Sequence, residues 1–107
     1  MLTLPIKKRW FDMIMSGEKQ EEYRADTPYY RARFARIFDL DPEALHTPSK
    51  QKIATIRLRN GYAATAPSIL ACCLLQHGKG RPEWGADPKT PCFILKIMVY
   101  EEEPEDG

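Results

Sequence analysis

The residue types best suited to chemistry lie together in one charged stretch, where Lys19, Glu22 and Arg24 follow Gly17. A lysine next to a glutamate can share proton transfer, and lysine and arginine can both hold a phosphate group. Side chains alternate between the two faces of an extended strand, so we expect Glu22 and Arg24 to point the same way and to pair. Gly17 allows the backbone conformation that ends a helix, and a bend there would bring Lys19 beside Glu22.

These four residues match the signature GxKxxExR, and on this motif the chain resembles the ASCH domains of the PUA-like superfamily. Three further segments resemble small bacterial or phage ASCH proteins: residues 4–7 (LPIK), 59–62 (RNGY) and 82–86 (PEWGA). The resemblance therefore extends over nearly the whole chain. It implies a small, partly open β-barrel that binds RNA or modified bases in a cleft lined by the signature residues.

A basic cleft around the motif is the first functional hypothesis. Lys19 and Arg24 would hold phosphate or a base carbonyl, and Glu22 would accept a hydrogen bond from a base amino group. Trp84 would close over a base, because aromatic rings stack on every base type. The predicted nucleic-acid-binding residues are Lys19, Glu22, Arg24, Arg57, Arg59, Asn60, Tyr62 and Trp84. We expect Lys19, Glu22 and Arg59 to line one pocket.

The second hypothesis is enzymatic, because one ASCH branch resembles an amidohydrolase that deacetylates acetylcytidine with a lysine, a threonine and a glutamate. Lys19 matches that lysine, but Glu22 stands in place of the threonine, and residues 71–74 (ACCL) bring no acid. Lys19 and Glu22 would then be the catalytic residues, acting on RNA or on a modified nucleoside. A third hypothesis makes Lys19, Glu22 and Arg24 a structural ion-pair network. The sequence leaves all three open.

Charge is distributed unevenly along the chain, which suits either a polyanionic partner or an ordinary solvated surface. Five of the 15 acidic residues lie in residues 101–107, which leaves 10 acidic and 16 basic residues in residues 1–100, a net charge of +6. We therefore predict one domain over residues 1–100 and an acidic, disordered tail over residues 101–107. A second basic stripe, formed by Tyr29, Arg33 and Arg36, either extends an RNA surface or solvates a helix.

Cysteine and histidine spacing predicts neither a metal site nor a cofactor. Cys72, Cys73 and Cys92 form no CxxC pair, and His46 has no metal-ligating partner close in sequence. No apolar run approaches the roughly 18 residues of a membrane span, so no membrane partner is expected. The N-terminal residues lack the apolar core of a signal peptide, and we expect a cytoplasmic protein. The sequence does not predict an oligomeric state.

Hydrophobic periodicity predicts the elements that position these residues. Residues 2–7 alternate as an edge strand containing Pro5, residues 8–16 form a short amphipathic helix, and the charged strand follows. Thr27 and Pro28 begin a second helix that extends to Phe38. Strands are predicted over residues 52–59, 69–75 and 93–100, an exposed loop over residues 41–51 and a lid loop over residues 77–91. This order predicts an α+β fold with five to six strands and two helices.

Overall fold

Five strands and two helices form an α+β fold in the computed structural model, which describes residues 1–48 and 52–104. The elements are β1 (Thr3–Ile6), α1 (Lys8–Met15), β2 (Glu21–Arg24), α2 (Pro28–Ile37), β3 (Ile53–Asn60), β4 (Ser68–Gly78) and β5 (Cys92–Glu102). Two 3₁₀ turns, Pro42–Ala44 and Pro82–Trp84, lie in the connecting loops. The predicted α+β class and the predicted order of elements are confirmed.

The five strands form one curled sheet in the order β1-β3-β4-β5-β2. β1 pairs in parallel with β3, and every other pair is antiparallel. Where β4 pairs with β5, Cys72 faces Val99 and Cys73 faces Ile97, so β5 carries one extra residue. Such a bulge increases local twist and helps a sheet to curl. β1, which contains Pro5, and β2 are the two edges, and the barrel stays partly open between them.

The core fills the concave side of this sheet. Its buried strand residues are Leu4, Ile6, Ile56, Leu58, Ile69, Ala71, Cys73, Leu75, Phe93 and Leu95. The helices add Phe11, Ile14 and Phe34, and Phe38 joins them just after α2. Alternate residues of β3 and β4 point inward, as a strand with one buried face requires. Cys73 is part of this core, and burial raises the pKa of its thiol to about 12. It therefore packs as a small apolar side chain.

The end of α1 fixes the position of Lys19. The backbone N–H of Ser16 donates to the carbonyl of Asp12 at 3.0 Å, and Gly17 follows with a φ of 84°. That left-handed conformation favours glycine because a β-carbon would strain it. The backbone N–H of Lys19 then donates to the carbonyl of Met13 at 2.9 Å. The bend predicted after Gly17 is present, and it delivers Lys19 to the start of β2.

Helix α2 covers the core with one face and exposes arginines on the other. The Thr27 hydroxyl accepts a hydrogen bond from the backbone N–H of Tyr30 at 3.3 Å, which is the predicted N-cap. Phe34 is fully buried, and its ring centroid lies 5.1 Å from that of Phe93 in β5. The stripe of Tyr29, Arg33 and Arg36 is exposed.

The C-terminal segment differs from its prediction, because β5 continues past the predicted boundary at residue 100. Glu101 pairs with Leu70 and Glu102 with Ile69, since β4 begins at Ser68 and offers them hydrogen-bonding partners. Residues 105–107 of the predicted tail, and residues 49–51 of the predicted loop, lie outside the described residues. Neither helix in the described ranges has the length and apolar composition that crossing a bilayer would need.

Replacing Phe34 with alanine tests whether α2 is held by core packing. We expect Phe34→Ala to lower the free energy of unfolding by about 3–5 kcal/mol, because the deletion leaves a cavity in a fully buried site. Tyr29→Ala is the matched control on the exposed face of the same helix and should change it by less than about 0.5 kcal/mol. Urea unfolding followed by circular dichroism measures both, and equal effects would contradict the packing scheme.

Candidate functional site

Lys19 is almost completely shielded from solvent, with 2% of its surface exposed. Its Nζ donates to the backbone carbonyl of Trp84 at 2.5 Å and lies 3.4 Å from Glu22 Oε1. Two aromatic rings also face the ammonium group, since Nζ is 5.3 Å from the Trp10 ring centroid and 4.7 Å from that of Tyr23. The positive charge of an ammonium group in this position is stabilised by one carboxylate, one carbonyl and two ring faces.

The environment of Lys19 favours the loss of its proton. Burial lowers the pKa of the Lys19 ammonium below its ordinary value, although the neighbouring Glu22 carboxylate acts in the opposite direction. Desolvation penalises the charged form of a lysine, and here it outweighs the attraction to Glu22. At a given pH the neutral amine is therefore more populated at Lys19 than at a solvent-exposed lysine.

Arg24 uses its guanidinium to join the two edges of the sheet. Its NH2 donates to Glu22 Oε2 at 2.7 Å and to the carbonyl of Pro5 in β1 at 2.8 Å, while NH1 donates to the Tyr30 hydroxyl at 3.1 Å. Burial alone would lower the pKa of Arg24, but Glu22 and Tyr30 together raise it. Arg24 thus bridges the two edge strands, β1 and β2, although they do not pair with each other. Glu22 is shared between Lys19 and Arg24.

A compact segment, residues 80–86, covers Lys19, and we call it the covering turn. The backbone N–H of Arg81 donates to the Tyr23 hydroxyl at 3.0 Å, which anchors the turn to β2. A β-carbon at Gly80 would lie 2.4 Å from the Tyr23 ring, so this close approach requires glycine. At Gly85, with a φ of 102°, a β-carbon would lie 3.1 Å from the Trp10 ring. The covering turn therefore packs against both aromatic neighbours of Lys19.

Both tryptophans of the chain flank Lys19, and each carries an arginine on its ring. The Arg81 guanidinium carbon is 4.6 Å from the Trp84 ring centroid, and that of Arg9 is 4.4 Å from the Trp10 ring centroid. Arg9 and Arg81 are exposed, whereas both tryptophans are half-buried. The residues that contact Lys19 are therefore accompanied by two aromatic rings, each of which carries an exposed guanidinium group.

A cavity of about 340 Å³ opens beside the motif, between the end of β2 and the segment that enters β5. Its volume lies at the lower end of the range of about 300–1,000 Å³ that is typical of ligand pockets. The lining residues are Tyr23, Arg24, Ala25, Asp26, Gly85, Ala86, Asp87, Thr90, Pro91 and Cys92. Neither Lys19 nor Glu22 lines this cavity, because Tyr23 and the covering turn enclose them.

The predicted arginines of β3 lie in a different place. Arg57 forms a two-pronged ion pair with Glu103, at 2.6 and 3.1 Å, and the Ser68 hydroxyl donates to the same carboxylate at 2.6 Å. These hydrogen bonds raise the pKa of Arg57 and lower that of Glu103. Arg57 and Arg59 line a separate cavity of about 570 Å³ with Ser68 and Glu103. The structure does not place Arg59 in one pocket with Lys19 and Glu22.

The remaining predicted residues follow the end of β3. Asn60 is the last residue of β3, and its backbone N–H donates to the carbonyl of Pro67 at 2.8 Å. The Tyr62 side chain is 88% exposed. Of the eight predicted residues, the structure brings Lys19, Glu22, Arg24 and Trp84 together. Trp84 contributes to the lysine site through its backbone carbonyl, a role that no sequence pattern indicated.

Sequence reasoning missed a second group of polar residues, Asp26, His46 and His77. The Nε2 atoms of His46 and His77 lie 2.7 and 3.0 Å from the same oxygen, Oδ2 of Asp26, although these residues are 20 and 51 positions away along the chain. Burial opposes ionisation of Asp26, but hydrogen bonds from Arg31 and both histidines lower its pKa to about 2. Spacing alone could not reveal this group, because each member belongs to a different segment.

Replacing Glu22 tests whether the motif residues hold the fold. We expect Glu22→Gln to lower the free energy of unfolding by about 3–5 kcal/mol, because it leaves the buried charge of Lys19 without its counter-ion. Lys19→Met should cost less, since Glu22 keeps its contact with Arg24. The control is Glu18→Gln on the exposed segment before β2. Denaturant unfolding provides the comparison, and a Glu22→Gln variant as stable as the control would contradict this role.

Comparison of the chain with protein-family models, with curated proteins and with solved structures finds no match. The resemblance to ASCH domains therefore rests on the motif and the three segments quoted for it.

Proposed function

We propose that this protein binds single-stranded RNA or a nucleobase at the surface formed by Trp10, the covering turn and the cavity beside Tyr23. One observation carries the proposal: both tryptophans of the chain flank the same buried lysine, and each has an exposed arginine on its ring. Stacking platforms next to cations are the usual means by which proteins hold unpaired nucleotides. The resemblance to ASCH domains supports the same function.

Exposed positive charge surrounds this surface. Lys7 and Arg9 are exposed just before and within the first turn of α1, and Lys79 and Arg81 are exposed just before and within the covering turn. Such groups would pair with phosphates and release counter-ions on binding. The arginines of β3 contribute less to this scheme, because Arg57 is already paired with Glu103.

The cavity beside Tyr23 offers polar groups that would recognise a base edge. Thr90 and Asp87 line it, and together they provide a hydroxyl and a carboxylate that bond to base carbonyl and amino groups. The aromatic ring of Tyr23 forms one part of its wall. In this scheme phosphate contacts supply most of the affinity, and the cavity supplies the preference among bases.

In this proposal Lys19, Glu22 and Arg24 form the support of the site. A ligand would reach Lys19 only if the covering turn moved, because Nζ already donates a hydrogen bond to the carbonyl of Trp84 in that turn. A base carbonyl could then replace the Trp84 carbonyl as the acceptor. The three free cysteines agree with a reducing, cytoplasmic setting for such a protein.

Trp84→Ala tests the stacking platform without removing the carbonyl that Lys19 uses. We expect binding of a short single-stranded RNA to weaken by about 1–3 kcal/mol, the range found for loss of one base–aromatic stack. Tyr29→Ala is the matched control, since Tyr29 also carries a stacked arginine, with the Arg33 guanidinium carbon 3.3 Å from its ring centroid. Fluorescence anisotropy of labelled RNA gives both affinities.

The same titration repeated at higher salt should show lower affinity for the wild-type protein. Two results would contradict the proposal. One is the absence of binding at low salt, and the other is a larger loss for Tyr29→Ala than for Trp84→Ala, which would move the RNA to the exposed face of α2.

Hydrolysis of RNA or of a modified nucleoside such as acetylcytidine is the second candidate function, and the lowered pKa of Lys19 favours it. A neutral Lys19 amine would take a proton from water as the water attacks the acetyl carbonyl. The C–N bond then breaks, the cytidine amino group receives the proton and acetate is released. Glu22 would hold the lysine in place during this exchange.

Assays of acetate release from acetylcytidine and of cleavage of labelled RNA decide between binding and turnover. We expect no turnover for the proposed binder. If Lys19 is a base, the rate should rise with pH, because the neutral amine becomes populated as pH approaches its lowered pKa from below. Turnover that Lys19→Met abolishes, in a variant whose circular dichroism matches the wild type, would make the protein a hydrolase.

A further inference from the structure

We propose that Asp26, His46 and His77 form a binding site for a divalent transition metal such as zinc. Three segments meet here: Asp26 precedes α2, His46 follows the 3₁₀ turn Pro42–Ala44, and His77 lies in β4. Both histidine Nε2 atoms approach Asp26 Oδ2, at 2.7 and 3.0 Å. The candidate ligand atoms of the three residues all lie within 4.8 Å of one another.

These separations are close to those of a metal site. Zinc–nitrogen and zinc–oxygen bonds of about 2.0–2.2 Å place the ligand atoms of a tetrahedral site about 3.3–3.5 Å apart. The observed contacts to Asp26 Oδ2 are shorter by a few tenths of an ångström, so a small outward rotation of the rings would admit the ion. The two imidazole rings are perpendicular, with centroids 4.6 Å apart, and they converge on Oδ2 without stacking on each other.

Neighbouring side chains hold the three ligands in this orientation. Arg31 Nε donates to Asp26 Oδ1 at 2.5 Å, which leaves Oδ2 directed at the histidines. The Phe93 ring packs against both imidazoles, with centroids 5.2 Å from His77 and 6.3 Å from His46. Such outer partners commonly orient metal ligands. The site is therefore preorganised by a fully buried core residue and by an ion pair.

The ligand set indicates which metals the site would accept. Two imidazoles and one carboxylate suit zinc, iron(II) or cobalt(II), whereas calcium and magnesium prefer oxygen ligands throughout. Three protein ligands leave at least one coordination position for water. A cavity of about 460 Å³, lined by His46 and His77 together with Gln76, Gly78 and Lys79, gives solvent access to the site.

This inference does not depend on the proposed RNA binding. Neither histidine belongs to the surface around Lys19, although Asp26 also lines the cavity beside Arg24. The spacing of cysteines and histidines predicted no metal site, because the residues that supply the ligands are separated along the chain. The chain contains two histidines, and both belong to this group. Metal binding through imidazole can therefore be assigned to it directly.

Calorimetric titration of the chelator-treated, untagged protein with zinc alone tests the site. We expect one equivalent to bind, and His46→Ala, His77→Ala and Asp26→Asn each to weaken binding by at least about tenfold. The control is a Cys72→Ser, Cys92→Ser double variant, which should bind zinc like the wild type because neither cysteine belongs to the site. Failure to bind zinc, or undiminished binding by both histidine variants, would overturn the proposal.

A measurement on the wild-type protein covers the case in which a variant fails to fold. Addition of cobalt(II) should produce the visible absorption of a nitrogen- and oxygen-ligated ion and should shift or broaden the proton resonances of both imidazoles. Thiolate charge-transfer absorption, or imidazole resonances that stay unchanged at one equivalent, would overturn the proposal. Asp26, His46 and His77 would then form only a hydrogen-bonded group that joins three segments. Neither result would affect the RNA proposal, which the anisotropy titration tests separately.

Discussion

The structure depends on a buried carboxylate, Glu22, that serves two cations at once. One oxygen faces the Lys19 ammonium and the other accepts a hydrogen bond from Arg24. Removing such charges from water costs free energy, which is recovered only where each charge has a partner and the remaining donors find acceptors. The carbonyls of Trp84 and Pro5 and the Tyr30 hydroxyl accept hydrogen bonds from these cations, whereas Arg24 Nε is buried without a partner among the described residues. Glu22 thereby links β2 to the covering turn through Lys19 and to β1 through Arg24.

This linkage connects the two edges of the sheet through a side chain. β1 and β2 are not neighbours in the strand order, so Arg24 makes the connection that backbone hydrogen bonds do not. The tight approach of the covering turn then requires Gly80 against Tyr23 and Gly85 against Trp10. The same contacts that shield Lys19 also hold the covering turn, which contains Trp84 and Arg81, against Trp10. A structural role for the motif and a binding role for the surface above it are therefore compatible.

Local sequence patterns predicted much of the fold because strand alternation, helix capping and helix termination depend on residues that are close together in the sequence. The alternation of residues 54–58, the Thr27 cap and the glycine after α1 act within a few residues, and each is present in the structure. Pairing of Glu22 with Arg24 follows from strand alternation in the same way. The position of Arg59 and the grouping of Asp26, His46 and His77 depend instead on how distant segments pack, which periodicity does not encode. The end of β5 was misplaced because Glu101 and Glu102 pair with residues of β4, and Glu103, just after the strand, pairs with Arg57.

A crystal structure of the protein with a short single-stranded RNA would locate the nucleotides relative to the buried charges. We expect a base stacked on Trp84 or Trp10 or seated in the cavity beside Tyr23, with a phosphate within reach of Arg81 or Arg9. RNA bound instead along Arg33 and Arg36 of α2, with the two tryptophans free of nucleotide, would contradict the proposal.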